Sequence, residues 1–247
     1  MRKRLRRAYL RSRTLAADAW FDSRLVARAT RKAHVLALGD SHVDVMRHVH
    51  RDDAAFRVLM LEGATASGIT NPNSKTNASN LYKDRVRRAK PWQHVLVQLG
   101  EVDCGFIIWH RAQRLGISPD EQLEQTLDNY ETILAFTRDQ GFASVMVVAV
   151  PLPTIDDYPS AWAEIANLRK EITATQRERT DLTIRFNEHL KERCARLGIV
   201  FVDASAAQLD PETRLVKRSL MRADDRDHHL ADGPYAALIE RTLPALR

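Results

Sequence analysis

The chain has 247 residues, 44% hydrophobic and 28% charged, a balance that suits one large globular domain and excludes fibrous and disulfide-scaffold classes. Its two cysteines, Cys104 and Cys194, lie in no Cys-x-x-Cys pair, and a reducing compartment is the milder expectation. The formal charge of +6 is local: residues 1–14 hold seven Arg/Lys and no acid, which leaves 31 basic against 32 acidic residues elsewhere. Such an arm is either solvated or touches an anionic surface. No zinc-finger spacing or aromatic-basic RNA motif accompanies it, so nucleic acid is not an expected partner. The next stretch, LAADAWFDSRLVARAT, has the pattern of an amphipathic helix and not of a signal-peptide core, and no run of 18 apolar residues occurs. A cytoplasmic protein is expected, with weak contact to an anionic membrane face left open. The expected organisation is an arm and helix over 1–32 and one domain over 33–247.

Five short apolar runs follow in chain order: HVLALG (34–39), FRVLMLEG (56–63), HVLVQLG (94–100), SVMVVAV (144–150) and GIVFVDA (198–204). Near-continuous apolar runs suit strands buried on both faces. Helical segments are predicted between and after them at about 78–90, 119–140, 161–197 with a break, and 233–245. Ser118 caps the second of these, Pro119 opens it, and Gly141 closes it. Strands separated by helices imply parallel pairing, hence a three-layer α/β/α sandwich with a five-stranded parallel sheet of flavodoxin-like type.

Ligands of an open parallel sheet bind outside the carboxyl ends of its strands. Polar segments fall there: Gly39-Asp40-Ser41-His42, Gly63-Ala64-Thr65-Ala66-Ser67-Gly68 and Gly100-Glu101-Val102-Asp103-Cys104, joined near the C-terminus by Asp224-Asp225-Arg226-Asp227-His228-His229. Ser41 taken alone reads as a helix cap. A serine hydroxyl becomes a nucleophile when an imidazole takes its proton and a carboxylate orients that imidazole. The C-terminal cluster supplies both. Asp225 and His228 stand three apart, so one turn brings carboxylate to ring, and His228 is the preferred base; Asp227 with His229 is the tighter-reaching alternative. Glu101 and Asp103, alternating at a strand end, offer a group to hold His42, to bind a substrate hydroxyl or to cap a helix. Cys104 reads as a small buried filler.

These four blocks, in this order over roughly residues 34–232, resemble the SGNH or GDSL-like hydrolase family: VLALGDSH its first block, EGATASGIT its glycine block, VLVQLGEVD its third and DDRDHH its closing Asp-x-x-His block. The third resembles a divergent branch found among proteins of surface-polysaccharide biosynthesis. The resemblance implies Ser41 as nucleophile, Asp225 and His228 as acid and base, and Gly68 as a backbone donor to the oxyanion. It also implies an acyl ester substrate, acetyl by preference and carried on a small molecule or glycan, with no cofactor and no metal. His229 precedes a Leu, as that family's histidine commonly does. Val102 stands where the family usually has Asn, so one oxyanion donor is missing. The same serine could serve an O-acyltransferase acting on a sugar, and loss of that donor would suit a non-catalytic binding protein of the same fold.

Other chemistries fit less well. Asp40, His42, Asp44 and His48 open like a binuclear metallophosphoesterase, yet no further ligand segments follow. No phosphate-binding or dinucleotide glycine motif is present. The loop PLPTIDDYPSAWAEI (151–165), with Trp162, is a candidate substrate wall or a packed crossover.

Overall fold

The computed structural model describes residues 19–157, 171–224 and 227–246. Asp225 and Trp162 therefore lie outside the described residues, as do the arm and the segment 158–170. Five parallel strands, β1 (Ala33–Gly39), β2 (Ala54–Met60), β3 (His94–Gln98), β4 (Ser144–Val148) and β5 (Val200–Val202), form one sheet in the order β2-β1-β3-β4-β5. β1 is central: Val35 to Gly39 register with Phe56 to Met60 on one side and with His94 to Gln98 on the other. The strand order reverses between β1 and β3, which opens a crevice beyond their carboxyl ends.

Alternate residues of each strand feed opposite cores, as pleating requires. Leu36, Leu38, Val95 and Val97 face one hydrophobic layer, whereas Val35, Ala37, Leu96 and Met146 face the other. The first layer is roofed by α2 (Ala78–Arg88), α4 (Pro119–Arg138) and α5 (Gln176–Leu197); the second by the 3-10 turn Ser41–His48 and by α6 (Asp232–Thr242). The expected three-layer sandwich is the observed one.

Helix boundaries follow local chemistry. Ser118 Oγ accepts from the Glu121 N–H at 3.1 Å with Pro119 opening the helix, and Leu123, Leu127, Tyr130, Ile133 and Leu134 form the buried stripe of α4. Thr175 and Glu178 cap α5 reciprocally, and Gly198 ends it in the left-handed region. The turn Ser41–His48 starts where Ser41 reads as a helix cap, whereas a π-turn at Asp103–Ile107 that runs into α3 (Ile108–Leu115) and the short 3-10 turns Ala206–Gln208 and Arg218–Leu220 are absent from the predicted helices. Short α1 (Arg24–Thr30) precedes the sheet.

Gly39 has a packing reason. A Cβ there would lie 2.0 Å from the Gln98 carbonyl oxygen, so only glycine lets β1 approach β3 where the chain turns toward Ser41.

Candidate functional site

Three of the four polar blocks meet above the crevice between β1 and β3, and the closing segment folds over them. Ser41 begins the 3-10 turn directly after β1, and Asp40 caps that turn by accepting from the His42 N–H at 2.9 Å. The second oxygen of Asp40 accepts from the Gly100 N–H at 3.3 Å, tying the first block to the third. Gly100 can serve there because its φ of 125° is a conformation that side-chain-bearing residues avoid.

Ser41 Oγ lies 2.8 Å from His229 Nε2, and His229 Nδ1 lies 2.7 Å from Asp227 Oδ1. A carboxylate only accepts, so Nδ1 carries the hydrogen and the Nε2 lone pair faces the serine hydroxyl. The Asp227 oxygen also accepts from the His229 N–H at 2.9 Å, and its partner oxygen accepts from Arg222 at 2.6 Å. Arg222 reaches on to Asp232 at 2.7 Å and to the Leu230 carbonyl at 3.1 Å, which braces the whole segment.

The preference for His228 is corrected by this geometry. The ring on Ser41 is that of His229, whereas His228 is buried, edge-on to His42 at 5.1 Å. The reason is local: Asp227 Oδ1 meets both the N–H and the ring of His229, and Asp225 lies outside the described residues. Residues 227–229 form an Asx-type turn, in which a carboxylate reaches the N–H and ring two residues on.

Asp40 and His42 repeat that pattern. Asp40 Oδ1 accepts from the His42 N–H and lies 3.2 Å from His42 Nδ1. Two Asp-x-His units thus face each other across Ser41, with the His42 and His229 rings 4.5 Å apart. Their protonation differs. His42 Nε2 faces the His228 carbonyl at 3.4 Å and Glu101 at 3.8 Å, so both of its nitrogens face acceptors, which favours the protonated ring. Burial opposes that charge, but Asp40 and Glu101 outweigh it and the His42 pKa is raised. For His229, burial and the adjacent His42 cation together outweigh Asp227, and the pKa is lowered. Asp227 is held down to about 2: burial works against this, and the His229 N–H, its ring and Arg222 prevail.

Glu101 and Asp103 take separate tasks. Glu101 approaches His42, whereas Asp103, fully buried, accepts from the N–H groups of Ala66 at 2.7 Å and Ser67 at 3.0 Å. Asp103 therefore shapes the glycine block. Burial raises its pKa against those donors. Asp103→Ala would leave two buried N–H groups without an acceptor, and we expect a stability loss of about 3 kcal/mol. In a thermal melt that is a fall in Tm of roughly 6–12 °C for a chain of this size; a change below 2 °C would remove the bracing role.

Gly68 does not sit as expected. Its N–H donates within its own turn, to Thr65 Oγ1 at 3.0 Å and to the Thr65 carbonyl at 3.1 Å, so it is not turned toward Ser41. The N–H of Ser41 itself, the first donor of the 3-10 turn, has no acceptor among the described residues. Cys104 is fully buried, and burial pushes its thiol pKa well up, as suits a core filler. The cleft above Ser41 is small, with a cavity volume of about 20 Å³, and is lined by polar Asp44, Arg222, His229, Asp232 and Tyr235 beside Val45 and Leu230. His42, His228 and His229 bring three ring nitrogens within 4.8 Å of one another. His42 and His229 already spend theirs on Asp40, the His228 carbonyl, Asp227 and Ser41. No helix among the described residues is long and apolar enough to cross a membrane.

No protein-family model matches the chain, and no curated protein does either. Solved structures match its fold. A candidate SGNH hydrolase from Slackia heliotrinireducens superimposes with a TM-score of 0.52 at 14% identity, over 85% of this chain and 98% of that one. A candidate acylhydrolase from Bacteroides fragilis gives 0.51 at 12% identity, over 90% and 94%. A variant of an acetyl-xylooligosaccharide esterase from Geobacillus gives 0.50 at 14%, over 86% and 94%. The chain shares the SGNH hydrolase fold.

Proposed function

We propose that the chain is a serine esterase that cleaves short acyl esters, acetyl by preference, on polar and glycan-type molecules. The observation that carries this reading is the continuous hydrogen-bonded chain from Ser41 through His229 to Asp227, at 2.8 and 2.7 Å. In this reading His229 Nε2 takes the hydroxyl proton as Ser41 Oγ bonds to the ester carbonyl carbon. The tetrahedral intermediate collapses by breaking the bond to the alcohol, which leaves with the proton that His229 returns. Water then repeats the sequence on the acyl-serine, giving the acid and restoring Ser41. Asp227 keeps the reactive tautomer, and Arg222 holds Asp227. The Ser41 N–H serves the oxyanion as one donor; Val102 supplies none, so turnover is expected to be modest.

The choice of a short acyl group rests on the small, polar cleft, which has little apolar wall for a long chain. One solved structure of the same fold is a variant of an acetyl-xylooligosaccharide esterase, and the polar lining of the cleft suits an acetyl group on a polar carrier. Fluorophosphonate labelling followed by intact-mass measurement tests the nucleophile. Parallel assays with acetyl and octanoyl esters test the acyl length, and faster octanoyl turnover would overturn it. Added sugar acceptors separate hydrolysis from transfer.

The two histidines set the pH response. His229 must be neutral to accept the serine proton, and its pKa lies below the ordinary 6.5. The acid limb of kcat/KM is therefore expected below pH 6.5, with activity lost as pH falls through it. His42→Asn removes a ring centred 4.5 Å from that of His229, whose charge lowers the His229 pKa, so the limb moves upward in pH while kcat falls as the His228 carbonyl loses its donor. A limb that stays in place would separate His42 from the tuning of the base.

A further inference from the structure

At the end of the sheet opposite Ser41, the chain entering β1 is fastened by aromatic stacking. The His34 ring, at the amino end of β1, lies 5.5 Å from Trp20, 4.9 Å from Phe21 and 5.4 Å from Trp92. The Phe21 carbonyl accepts from His34 Nδ1 at 2.6 Å and from the Gln93 amide at 3.2 Å, and Gln93 also reaches Asp22 at 3.1 Å. Residues 20–22 are thus fixed to the domain. The helix that they lead into is different: α1 buries none of its residues.

Its surface is of one kind. Leu25 is 77% exposed and Trp20 48% exposed, the former the most exposed large apolar side chain among the described residues. Residues 24–32 contain Arg24, Arg28, Arg31 and Lys32 and no acid. The arm at 1–14, whose structure lies outside the described residues, adds seven cations by sequence to the same end of the chain. Exposed Trp20 and Leu25 close in sequence to these cations, with the acid between them, Asp22, turned to Gln93 and Arg85, suit a boundary where phosphate lies above acyl chain. A nucleic-acid backbone would use the charge and leave Leu25 in water.

We propose that α1 with Trp20 is a docking face for an anionic phospholipid bilayer, with Leu25 and Trp20 seated at the acyl boundary and the arginines on the headgroups. One consequence rests on the serine-esterase reading; docking itself does not. The seven residues of β1 separate the docked end from Ser41 by about 20 Å. The site then opens away from the bilayer, toward esters in the aqueous phase rather than those of the lipid beneath.

The test uses the full chain with vesicles of neutral phosphatidylcholine alone or with 30% phosphatidylglycerol. Sedimentation is expected with the anionic vesicles only, weakening at least tenfold from 0.05 to 0.5 M salt. A blue shift of tryptophan emission on binding should be lost in Trp20→Phe. Leu25→Glu, and separately Arg24→Glu with Arg28→Glu, should each lower partitioning at least tenfold with unchanged Tm and unchanged hydrolysis of a soluble acetyl ester. Three outcomes would overturn the proposal: no binding to anionic vesicles at low salt, equal binding of Leu25→Glu, or stronger retention on a duplex oligonucleotide than on vesicles. If no variant or wild-type protein hydrolyses an ester, the functional reading fails while the docking result stands on sedimentation alone.

Discussion

Ser41→Ala is expected to abolish fluorophosphonate labelling, and His229→Ala to lower ester turnover to the same floor, about 10⁵- to 10⁶-fold below the parent. The two losses coincide because members of one relay fail together: without the imidazole the hydroxyl keeps its proton, and without the hydroxyl the imidazole has nothing to activate. His228→Ala is the discriminating control. Its ring lies beside the relay, 4.0 Å from the His229 ring, while His229 alone makes the 2.8 Å contact to Ser41. Most activity should survive there, since the main-chain carbonyl that His42 uses remains after the substitution. Intact-mass analysis after probe treatment reads the first claim, and initial rates with an acetyl ester read the ranking. Labelling that persists in Ser41→Ala, or a His228→Ala loss exceeding that of His229→Ala, would sink the assignment.

Much of this site was legible before any geometry, and the parts that were not share one cause. The strands read clearly because sheet residues buried on both faces, such as Val35 to Leu38 and Val95 to Val97, must be apolar without interruption. Parallel pairing then placed the ends of β1 and β3 together, which is why Ser41, Glu101 and Asp103 could be nominated as neighbours. The choice between two adjacent histidines could not be made by a helical spacing rule, because residues 227–229 form an Asx-type turn. The chain did carry a signal for it: Asp40-Ser41-His42 and Asp227-His228-His229 are both Asp-x-His, and both fold so that one carboxylate oxygen takes the N–H at 2.9 Å. Gly68 differs from the expectation for a similar reason: its N–H donates to Thr65. Whether a glycine N–H faces a ligand or its own turn depends on Thr65, two bonds of side chain that periodicity does not register. The helix after β3 could be read only as a capping option for Asp103, because Gly100 to Gly105 looks like loop; in the fold Asp103 instead accepts from the glycine block.

Asp227→Asn is expected to lower kcat about 10⁴-fold while leaving the fold and the Ser41 contact distance nearly intact. The carboxylate does two things that an amide cannot do at once. It accepts from both the His229 N–H and the His229 ring, which requires Nδ1 to be protonated, and it receives Arg222 on its other oxygen. An Asn whose oxygen stays on Arg222 turns its NH₂ toward Nδ1, and the hydrogen moves to Nε2, where it meets the serine hydroxyl as a second donor. The pH response separates this from simple damage. Because Asp227 is held down to about 2, below the ordinary carboxylate value of 3.8, its pairing contributes stability that is full above pH 4 and is lost as pH falls through about 2. Asp227→Asn should therefore lower Tm at pH 7 and narrow the gap to the parent as pH is taken from 4 to 2. Rates at neutral pH and melts across that acid range test both halves. A variant that keeps more than a tenth of the parental kcat, or whose Tm deficit is the same at pH 7 and pH 2, would mean that Asp227 neither fixes the His229 tautomer nor titrates as a paired carboxylate.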